Sequence, residues 1–454
     1  MRKRTFKGGI HPFEGKEMSR EQKTVMLPAD SEMVFPLSQS IGAPSKPVVS
    51  KGDRVLRGQL IAEPGGFVSS AVHSSVSGTV KAIEPRTLAT GGRCMSIVIE
   101  NDGKEESAEM HPMSLDSLSK EEILKRIRDG GVVGMGGAGF PTAVKLSPKN
   151  PDKIDTIIVN GAECEPYLTS DFRRMLEDGE ALVQGLQVIL KLFDNAHGYF
   201  AIEANKPEAI ARMQELTKGM DRISVVPLKT KYPQGGERTI IKAVTGRELN
   251  SKLLPADVGA IVDNVDTVYA IKCAVLDGMP LMERIITVTG DGVKNPQNFR
   301  VHLGTSYASA LKAAGGPVGT PEKYISGGPM MGFAMYSLDV PLIKGSSCLL
   351  VFRQDPVSKL QESACINCCR CSDGCPERLL PSKLADFSAR GDFASFEKYH
   401  GLECVECGSC SWSCPAKRPL TQLIKSARRQ ILAEKKKAAA EARAKAQAAG
   451  KAGK

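Results

Sequence analysis

Two groups of cysteines carry most of the chemistry that this sequence could perform. Nine of its thirteen cysteines fall between positions 365 and 414, and both groups have the spacing C-x2-C-x2-C-x3-C-P. The groups are Cys365, Cys368, Cys371 and Cys375, and then Cys404, Cys407, Cys410 and Cys414. Three thiolates with this spacing wrap a short loop around three irons of a [4Fe-4S] cube. The spacing therefore predicts two such clusters.

The fourth ligand of each cluster is predicted to come from the other group, because the last cysteine of each run binds the other cluster in two-cluster ferredoxins. The predicted ligands are Cys365, Cys368, Cys371 and Cys414 for cluster 1, and Cys404, Cys407, Cys410 and Cys375 for cluster 2. A zinc ribbon would use separated pairs of cysteines, and a disulfide framework needs an oxidising compartment. Cys369 stands outside the pattern and is interpreted as a bystander thiol.

A glycine-rich stretch at residues 134–139 is the second motif with chemical potential. Four glycines in six residues let the backbone pass close to a flat or phosphorylated ligand, and their N–H groups can form an anion nest ahead of a helix. Lys145 would lie one turn into that helix, where it could reach a phosphate. The stretch matches neither Walker A nor a clean G-x-G-x-x-G, so a tight structural loop is the alternative.

Alternating helices and strands from about 113 to 285 predict the α/β layer that would position this loop. A capped helix at 117–127 and a short buried strand at Val132-Val133 precede the glycines. A strand at 154–160 leads into Glu163 and Glu165, and polar residues leaving the carboxyl end of such a strand lie where α/β sheets bind ligands. Two further polar stretches, 232–237 and 263–267, would face the same pocket if the sheet order brought them there.

The remaining sequence divides by composition. Residues 25–105 carry short strands and turns in two similar halves, like the barrel-sandwich hybrid of biotinyl and lipoyl carriers, but the connection at 63–70 has no lysine to modify and predicts a scaffold. The helical spacing at 379–400 and 420–432 predicts a helical two-cluster domain. The predicted boundaries are 1–112 (barrel-type), 113–285 (α/β), 286–352 (strand-rich), 353–432 (two-cluster) and 433–454 (basic Ala/Lys-rich tail).

Composition and charge further narrow the predicted location and binding partners of the chain. With 41% hydrophobic and 25% charged residues and no apolar run of eighteen, the composition is that of an ordinary soluble globular protein. The basic start has no apolar segment behind it, and this together with the predicted iron–sulfur chemistry predicts a cytoplasmic chain. The net charge of +10 comes from the ends, with +4 in residues 1–7 and +6 in residues 435–454. Such tails can bind anionic lipid or nucleic acid, and a solubilising tail is the alternative.

With both motifs in place, the sequence resembles known families. The stretch from Gly134 to Lys145 resembles the flavin loop of the NADH-oxidising flavoprotein subunit of respiratory complex I, and 160–166, 232–237 and 263–267 resemble that family's other site motifs. It departs from that pattern at Met135, Ala162 and Gly236. The domain order resembles the RnfC subunit of the Rnf electron-transport complex, and the cobalamin reductase of propanediol-degrading microcompartments shares it.

The resemblance implies a multidomain α/β and β fold: a barrel-sandwich hybrid, a Rossmann-like flavin domain, a β-grasp domain of the SLBB type and an α-helical two-cluster ferredoxin domain. It implies FMN and NAD(H) as cofactors, direct hydride transfer without a catalytic side chain, and single-electron relay through the clusters. The implied FMN contacts are Gly134, Gly136, Gly137, Gly139, Lys145, Asn160, Glu163, Asn264 and Thr267. The implied nicotinamide contacts are Phe140, Lys145, Glu165 and Glu237.

The same resemblance implies a peripheral NADH dehydrogenase-type subunit on the cytoplasmic face of the cell membrane. Its partners would be the other subunits of an ion-translocating ferredoxin:NAD complex, with ferredoxin reached through another subunit and no nucleic acid bound. Two alternatives stay open at this point. One is a soluble NADH-dependent cobalamin reductase, and the other is a non-catalytic iron–sulfur adaptor.

Overall fold

The structure, a computed structural model, describes residues 3–452, with side chains as far as residue 442. The chain forms two compact units. The larger unit comprises residues up to 5, 12–249 and 253–355, and the smaller unit comprises 6–11, 250–252 and the chain from 356 onwards.

The amino-terminal part of the larger unit contains two small sheets. One has four strands in the order β2-β8-β7-β4, and the other has three in the order β3-β5-β6. The strands of these two sheets are β2 (Glu32–Pro36), β3 (Lys46–Pro47), β4 (Arg54–Val55), β5 (Leu60–Glu63), β6 (Val72–His73), β7 (Gly78–Thr87) and β8 (Arg93–Asn101), and β1 (Val25–Leu27) precedes them in the chain. Apolar side chains such as Phe35, Val55 and Ile97 are fully buried in this part. The predicted strand-rich barrel-type fold is confirmed.

The middle of the larger unit is an α/β layer around a parallel sheet with the strand order β11-β10-β9-β12. Its elements are α1 (Lys120–Asp129), α2 (Thr142–Lys145), β9 (Thr156–Gly161), α3 (Ser170–Glu177), α4 (Gly179–Leu192), β10 (His197–Glu203), α5 (Pro207–Leu216), β11 (Ile223–Leu228), α6 (Glu237–Thr245), β12 (Ala260–Asn264) and α7 (Val265–Lys272). The apolar run in β9 is buried, as expected for a strand covered on both faces. Because the chain leaves β9 toward β10 and returns on its other side at β12, the topological switch point lies between β9 and β12.

The entry to the glycine stretch differs from the prediction. Helix α1 begins with the expected capping box, between Ser119 and Glu122. The predicted strand at Val132-Val133 is wrong, because Val133 makes only an isolated bridge to Pro141. Gly131 turns the chain with φ of 64°, and the loop folds back within eight residues, which leaves no room for a ladder. The helix after the loop is a single turn.

The last part of the larger unit is a mixed six-stranded sheet in the order β1-β14-β13-β17-β15-β16. Its elements are β13 (Glu283–Thr289), β14 (Gln297–His302), α8 (Tyr307–Ala313), β15 (Lys323–Ser326), β16 (Phe333–Met335) and β17 (Cys348–Phe352). Strand β1 joins it by pairing in parallel with β14. A stretch of chain from the amino-terminal region therefore completes this sheet, which the sequence did not predict.

The smaller unit is helical, and no strand follows β17 in the described residues up to 452. Its helices are α9 (Arg370–Asp373), α10 (Pro381–Ala389), α11 (Phe393–Lys398), α12 (Ser409–Ser413) and α13 (Leu420–Ala452). Helix α13 continues well beyond 432, where the predicted helix ends, because the tail is rich in Ala and Lys, which are strong helix formers. Arg2 and the last two residues of the predicted basic segments lie outside the described residues. Between residues 3 and 452, no helix has the length and apolar character needed to cross a bilayer.

Candidate flavin and iron–sulfur sites

Asn160 and Asn264 lie side by side at the carboxyl ends of β9 and β12, where the register pairs them directly. The side chain of Asn160 is fixed at both ends: Nδ2 donates to the carbonyl of Gly235 at 2.8 Å, and Oδ1 accepts from the N–H of Ala162 at 3.2 Å. Both asparagines are half-buried. The structure thus brings two predicted FMN contacts together at the switch point, where open α/β sheets bind ligands.

Asn264 also starts helix α7. Its Oδ1 accepts from the N–H of Asp266 at 2.9 Å as the helix cap, and its Nδ2 donates to Asp171 at 2.7 Å. Burial, reinforced by the charge of Glu163, raises the pKa of Asp171 above its ordinary range. Because this amide is held by the helix cap and by the carboxyl of Asp171, its orientation is fixed.

The two ends of the glycine loop are closed by hydrogen bonds. The N–H of Gly134 donates to the carbonyl of Phe140 at 2.9 Å. The N–H of Met135 donates to the buried hydroxyl of Thr267 at 3.0 Å. Thr267 therefore holds the loop backbone against α7, and Phe140 is half-buried at the loop's far end.

The middle of the loop is open. A Cβ added to Gly136 would lie 2.8 Å from the Cβ of Asn264, whereas a Cβ on Gly137 would meet no protein atom within 4 Å. Gly136, Gly137 and Ala138 are exposed, while Gly139 is buried and has φ of 70°. Within the described part of the chain, the N–H groups of residues 136–139 make no backbone hydrogen bond. Those of the exposed residues 136–138 are available to an anionic or polar ligand.

Lys145 is not a free cation beside this loop. Its Nζ donates to the carbonyl of Val262 at 2.8 Å and lies 3.2 Å from the carboxylate of buried Asp263. Burial works to lower the pKa of Lys145, but Asp263 and then Glu237 outweigh it and raise that pKa. Desolvation raises the pKa of Glu237, the first residue of α6, against the opposing effect of Lys145. The structure therefore brings Lys145 and Glu237 together, with Asp263 as a partner that the predicted site did not include.

The carboxylates of Glu163 and Glu165 are engaged inside the protein. Glu163 accepts from the N–H of Asp171 at 2.7 Å, at the start of α3. Glu165 accepts from the N–H groups of Met330 and Met331 at 2.8 and 3.0 Å, and burial raises its pKa. Glu165 thus connects the crevice to the 327–332 turn. Its predicted contact with the nicotinamide nucleotide stays a prediction.

Two lysines that the sequence analysis missed hold the segment that follows β9. Lys16 donates to the carbonyls of Glu165 at 3.0 Å and Leu168 at 2.5 Å. Lys206 donates to the carbonyl of Ala162 at 2.6 Å. Both are isolated lysines in unremarkable sequence, so no local signal could have identified them. Asp263 could have been found, because it lies within a stretch already recognised as polar.

The second cysteine group lines a cavity in the smaller unit. Its walls include Cys375, Cys404, Cys407 and Cys410. These are the four ligands predicted for cluster 2, including the one from the other group. No described residues form a cluster of His, Cys, Asp or Glu suited to a single metal ion. That result is compatible with a cube, in which each thiolate binds a different iron.

The ligands predicted for cluster 1 are arranged differently. Cys371 and Cys414 pack in one small core with Cys410, whereas Cys365 and Cys368 are solvent-exposed. Of the four predicted ligands, the structure therefore brings Cys371 and Cys414 together, and the ligand set of cluster 1 stays a prediction.

The two cysteine groups are related by a 39-residue repeat that includes the backbone conformation. Left-handed residues occur at equivalent positions: Asn367 and Glu406, Cys369 and Gly408, and Arg378 and Lys417. Cys369, with φ of 60°, stands where the second copy has glycine with φ of 82°. The extra cysteine therefore occupies a turn position between two predicted ligands, which fits its interpretation as a bystander.

Comparison with known families supports the same architecture. Residues 4–104 match the RnfC barrel sandwich hybrid domain, residues 127–273 match the Nuo51 FMN-binding domain, and residues 285–334 match the SLBB domain. A solved NAD⁺-reducing [NiFe]-hydrogenase in its H₂-reduced state has a related fold, with a TM-score of 0.50 and 19% identity over 71% of this chain and 62% of that one. The predicted fold class is confirmed.

Together, the fold and site define a multidomain oxidoreductase subunit that combines an FMN-binding domain with a cysteine-rich helical domain. The chain belongs to the RnfC family, whose members are subunits of ferredoxin:NAD⁺ and other ion-translocating oxidoreductase complexes, so it works with other subunits. It is 45% identical to the corresponding subunit of the proton-translocating ferredoxin:NAD⁺ oxidoreductase complex of Clostridium ljungdahlii, over 93% of each chain. It is 42% identical to that of the Na⁺-translocating complex of Acetobacterium woodii, over 95% of this chain and 98% of that one.

Proposed function

We propose that this chain is the peripheral NAD(H)-reacting subunit of a membrane-bound ferredoxin:NAD complex coupled to ion translocation. In this proposal, hydride is exchanged between NADH and FMN, and electrons pass singly through two [4Fe-4S] clusters. The observation that carries it is the open middle of the glycine loop, which lies against Asn264 at the switch point of the sheet. Family membership favours this function over the cobalamin reductase and adaptor alternatives.

The crevice at the carboxyl ends of β9 and β12 fits FMN because of the hydrogen-bond donors that line it. The exposed backbone at 136–138 offers N–H groups, at Gly136 and Gly137 without a side chain, and Asn160 and Asn264 offer amide edges held by the protein. Lys145 would contribute charge to a phosphate only in part, because Asp263 already pairs with it. Bound FMN supplies the conversion between two-electron hydride exchange and single-electron transfer. The protein's task is to bind and orient both rings and to limit water at the crevice, which requires no nucleophilic side chain.

The cysteine groups fit two clusters with unequal exposure. Cys375 and Cys410 in the lining of the second site are buried, whereas Cys365 and Cys368 of the first are exposed. Electron transfer to another protein needs close approach, so we assign exchange with a partner subunit to cluster 1.

We place the chain on the cytoplasmic face of the membrane, where the basic tail can meet anionic lipid.

Anaerobic purification followed by iron, sulfide and flavin analysis tests this proposal, and an NADH titration then follows bleaching of the flavin absorbance. We expect two clusters and one FMN per chain, with bleaching by NADH. A protein that holds both clusters but binds no flavin on anaerobic reconstitution would contradict the dehydrogenase function and favour the adaptor.

A further inference from the structure

The segment that leads into the glycine loop is fixed by a residue from outside the α/β layer. Lys344, between β16 and β17, donates from Nζ to the carbonyl of Gly131 at 2.7 Å. The same Nζ donates to the carbonyl of Ala71, beside β6, at 2.6 Å. A Cβ on Gly131 would lie 2.9 Å from this Nζ and 2.4 Å from the Ala71 oxygen. There is therefore no room for a side chain at Gly131 between this Nζ and the carbonyl of Ala71.

The other end of the loop is fixed by the segment between β2 and β3. The N–H of Ile41 donates to the carbonyl of Gly139 at 3.2 Å. A Cβ on Gly139 would lie 3.4 Å from the carbonyl oxygen of Gln39. The barrel-type part of the chain therefore lies directly against the carboxyl end of the glycine loop.

These two attachments are joined to each other. Oε1 of Gln39 accepts from the backbone N–H of Lys344 at 3.2 Å, and both side chains are buried. All of these contacts lie within the larger unit. We call Gln39, Ile41 and Lys344 the loop clamp, because they connect the backbone at Gly131 to the backbone at Gly139.

Burying a lysine side chain at position 344 costs free energy. It is 1% exposed, and among the described residues it makes no ion pair, so burial lowers its pKa to about 7. An unpaired buried ammonium opposes folding. Even as a neutral amine it keeps two N–H groups, enough for the two carbonyls it contacts. An apolar side chain would avoid the cost of burial but could not bond to Gly131.

We propose that Lys344 and Gln39 are positioning residues for the flavin. By fixing the segment that enters the loop at Gly131 and the end of the loop at Gly139, the clamp sets the loop in its binding conformation before the cofactor arrives, which lowers the conformational entropy lost on binding. This inference rests on the proposed function. In this inference, three parts of the chain contribute to the flavin site. The α/β part binds the cofactor, and the barrel-type and β-grasp parts support its affinity without touching it.

The test uses the full chain, freed of flavin, with Lys344→Met, Gln39→Ala and the double variant. FMN affinity is measured from quenching of flavin fluorescence, and amide hydrogen exchange follows residues 132–141 against the β9 core. We expect about tenfold weaker FMN binding in each single variant and faster exchange in the loop only. The double variant should lose less than the product of the two single losses, since both act through one clamp. Lys51→Met, an exposed lysine of the barrel-type part, is the matched control and should behave as wild type.

The outcomes separate this inference from the proposed function. Wild-type protein that binds no FMN overturns both. Wild-type binding together with unchanged FMN affinity in the variants overturns the clamp alone, as does faster exchange across the β9 core with no preference for the loop. Should Lys344→Met fail to fold, Gln39→Ala decides the matter, because it removes one acceptor and leaves the lysine in place.

Discussion

At the scale of single residues, Gly137 offers the most direct test of the flavin site. A Cβ there meets no protein atom within 4 Å, and the backbone is not left-handed. Gly137→Val should therefore leave the fold and the thermal midpoint nearly unchanged while placing a side chain in the space assigned to FMN. We expect loss of flavin with full iron content, measured as the flavin-to-iron ratio after anaerobic purification.

Two further glycines give this experiment its controls. Gly92 lies on an open turn whose nearest atom to a new Cβ is 3.9 Å away, so Gly92→Val should keep its flavin. Gly136→Val would collide with the side chain of Asn264 and should lose both stability and flavin. Normal flavin content in Gly137→Val would place the cofactor elsewhere.

The pairing of Lys145 with Asp263 leads to a prediction about the phosphate. In Asp263→Asn, the lysine loses its partner carboxylate and its charge becomes available to the cofactor. FMN should bind several-fold tighter, in line with the worth of a charge-assisted hydrogen bond. Riboflavin, which lacks the phosphate, should show no gain, and titrations with both flavins measure the difference. An equal gain for both would mean that Lys145 does not face the phosphate.

Lys344 also predicts how stability depends on pH. Its pKa is lowered from 10.5 in the unfolded chain to about 7 in the folded chain. Between these values the unfolded chain binds the extra proton, so the free energy of unfolding rises with pH, by up to about 1.4 kcal/mol per pH unit from this group. Lys344→Met should lack this rise. Denaturant unfolding from pH 7 to pH 10 measures it, and parallel curves for the two proteins would contradict the shift.

At the scale of elements, sequence patterns predicted the features that depend on interactions within a single helix or strand. The cap of α1, the buried run of β9 and the helices around the cysteines were visible because capping residues and apolar spacing act within one element. The supposed strand at Val132-Val133 failed because the turn at Gly131 leaves it without a neighbouring strand. The length of α13 was missed because its last turns lack an apolar face, although their composition favours a helix.

The 39-residue repeat allows a prediction that separates ligands from turn residues. Cys368→Ser should lose about half the iron, because it removes one thiolate from one of two clusters. Cys369→Gly should keep the full iron content, since glycine at the equivalent turn is what the second copy has. Iron per chain and the cluster absorbance measure both. Loss of a whole cluster in Cys369→Gly with a normal Cys368→Ser would shift the ligand register by one residue.

At the scale of the whole molecule, the sequence predicted the order of the parts better than the contacts between them. The motifs are contiguous, so each part could be recognised from its own residues. The pairing of β1 with β14 and the bond between Gln39 and Lys344 join positions about 270 to 305 residues apart. Such contacts depend on the packing of the finished fold and leave no periodicity in the sequence. The candidate site was therefore predicted as a set of motifs, while the clamp around it needed the structure.

The basic tail concerns how the whole molecule meets its surroundings. Helix α13 packs through Leu420, Ile424 and Ile431, and beyond these the residues up to 442 are exposed. Residues 435–454 carry a net charge of +6. Each basic group near an anionic surface contributes roughly 1 kcal/mol at most, and salt screens it within about 10 Å.

Deleting residues 435–454 should therefore weaken binding to vesicles that contain phosphatidylglycerol, most strongly at low salt, because the deletion removes this charge. Co-sedimentation with vesicles measures the effect, and vesicles of phosphatidylcholine alone should show no difference. Lys436→Gln with Lys437→Gln keeps the chain length and should give an intermediate loss. NADH oxidation by a soluble dye should survive the deletion, since the flavin and cysteine sites lie elsewhere in the chain. Vesicle binding that is unchanged at every salt concentration would leave the tail as a solubilising segment.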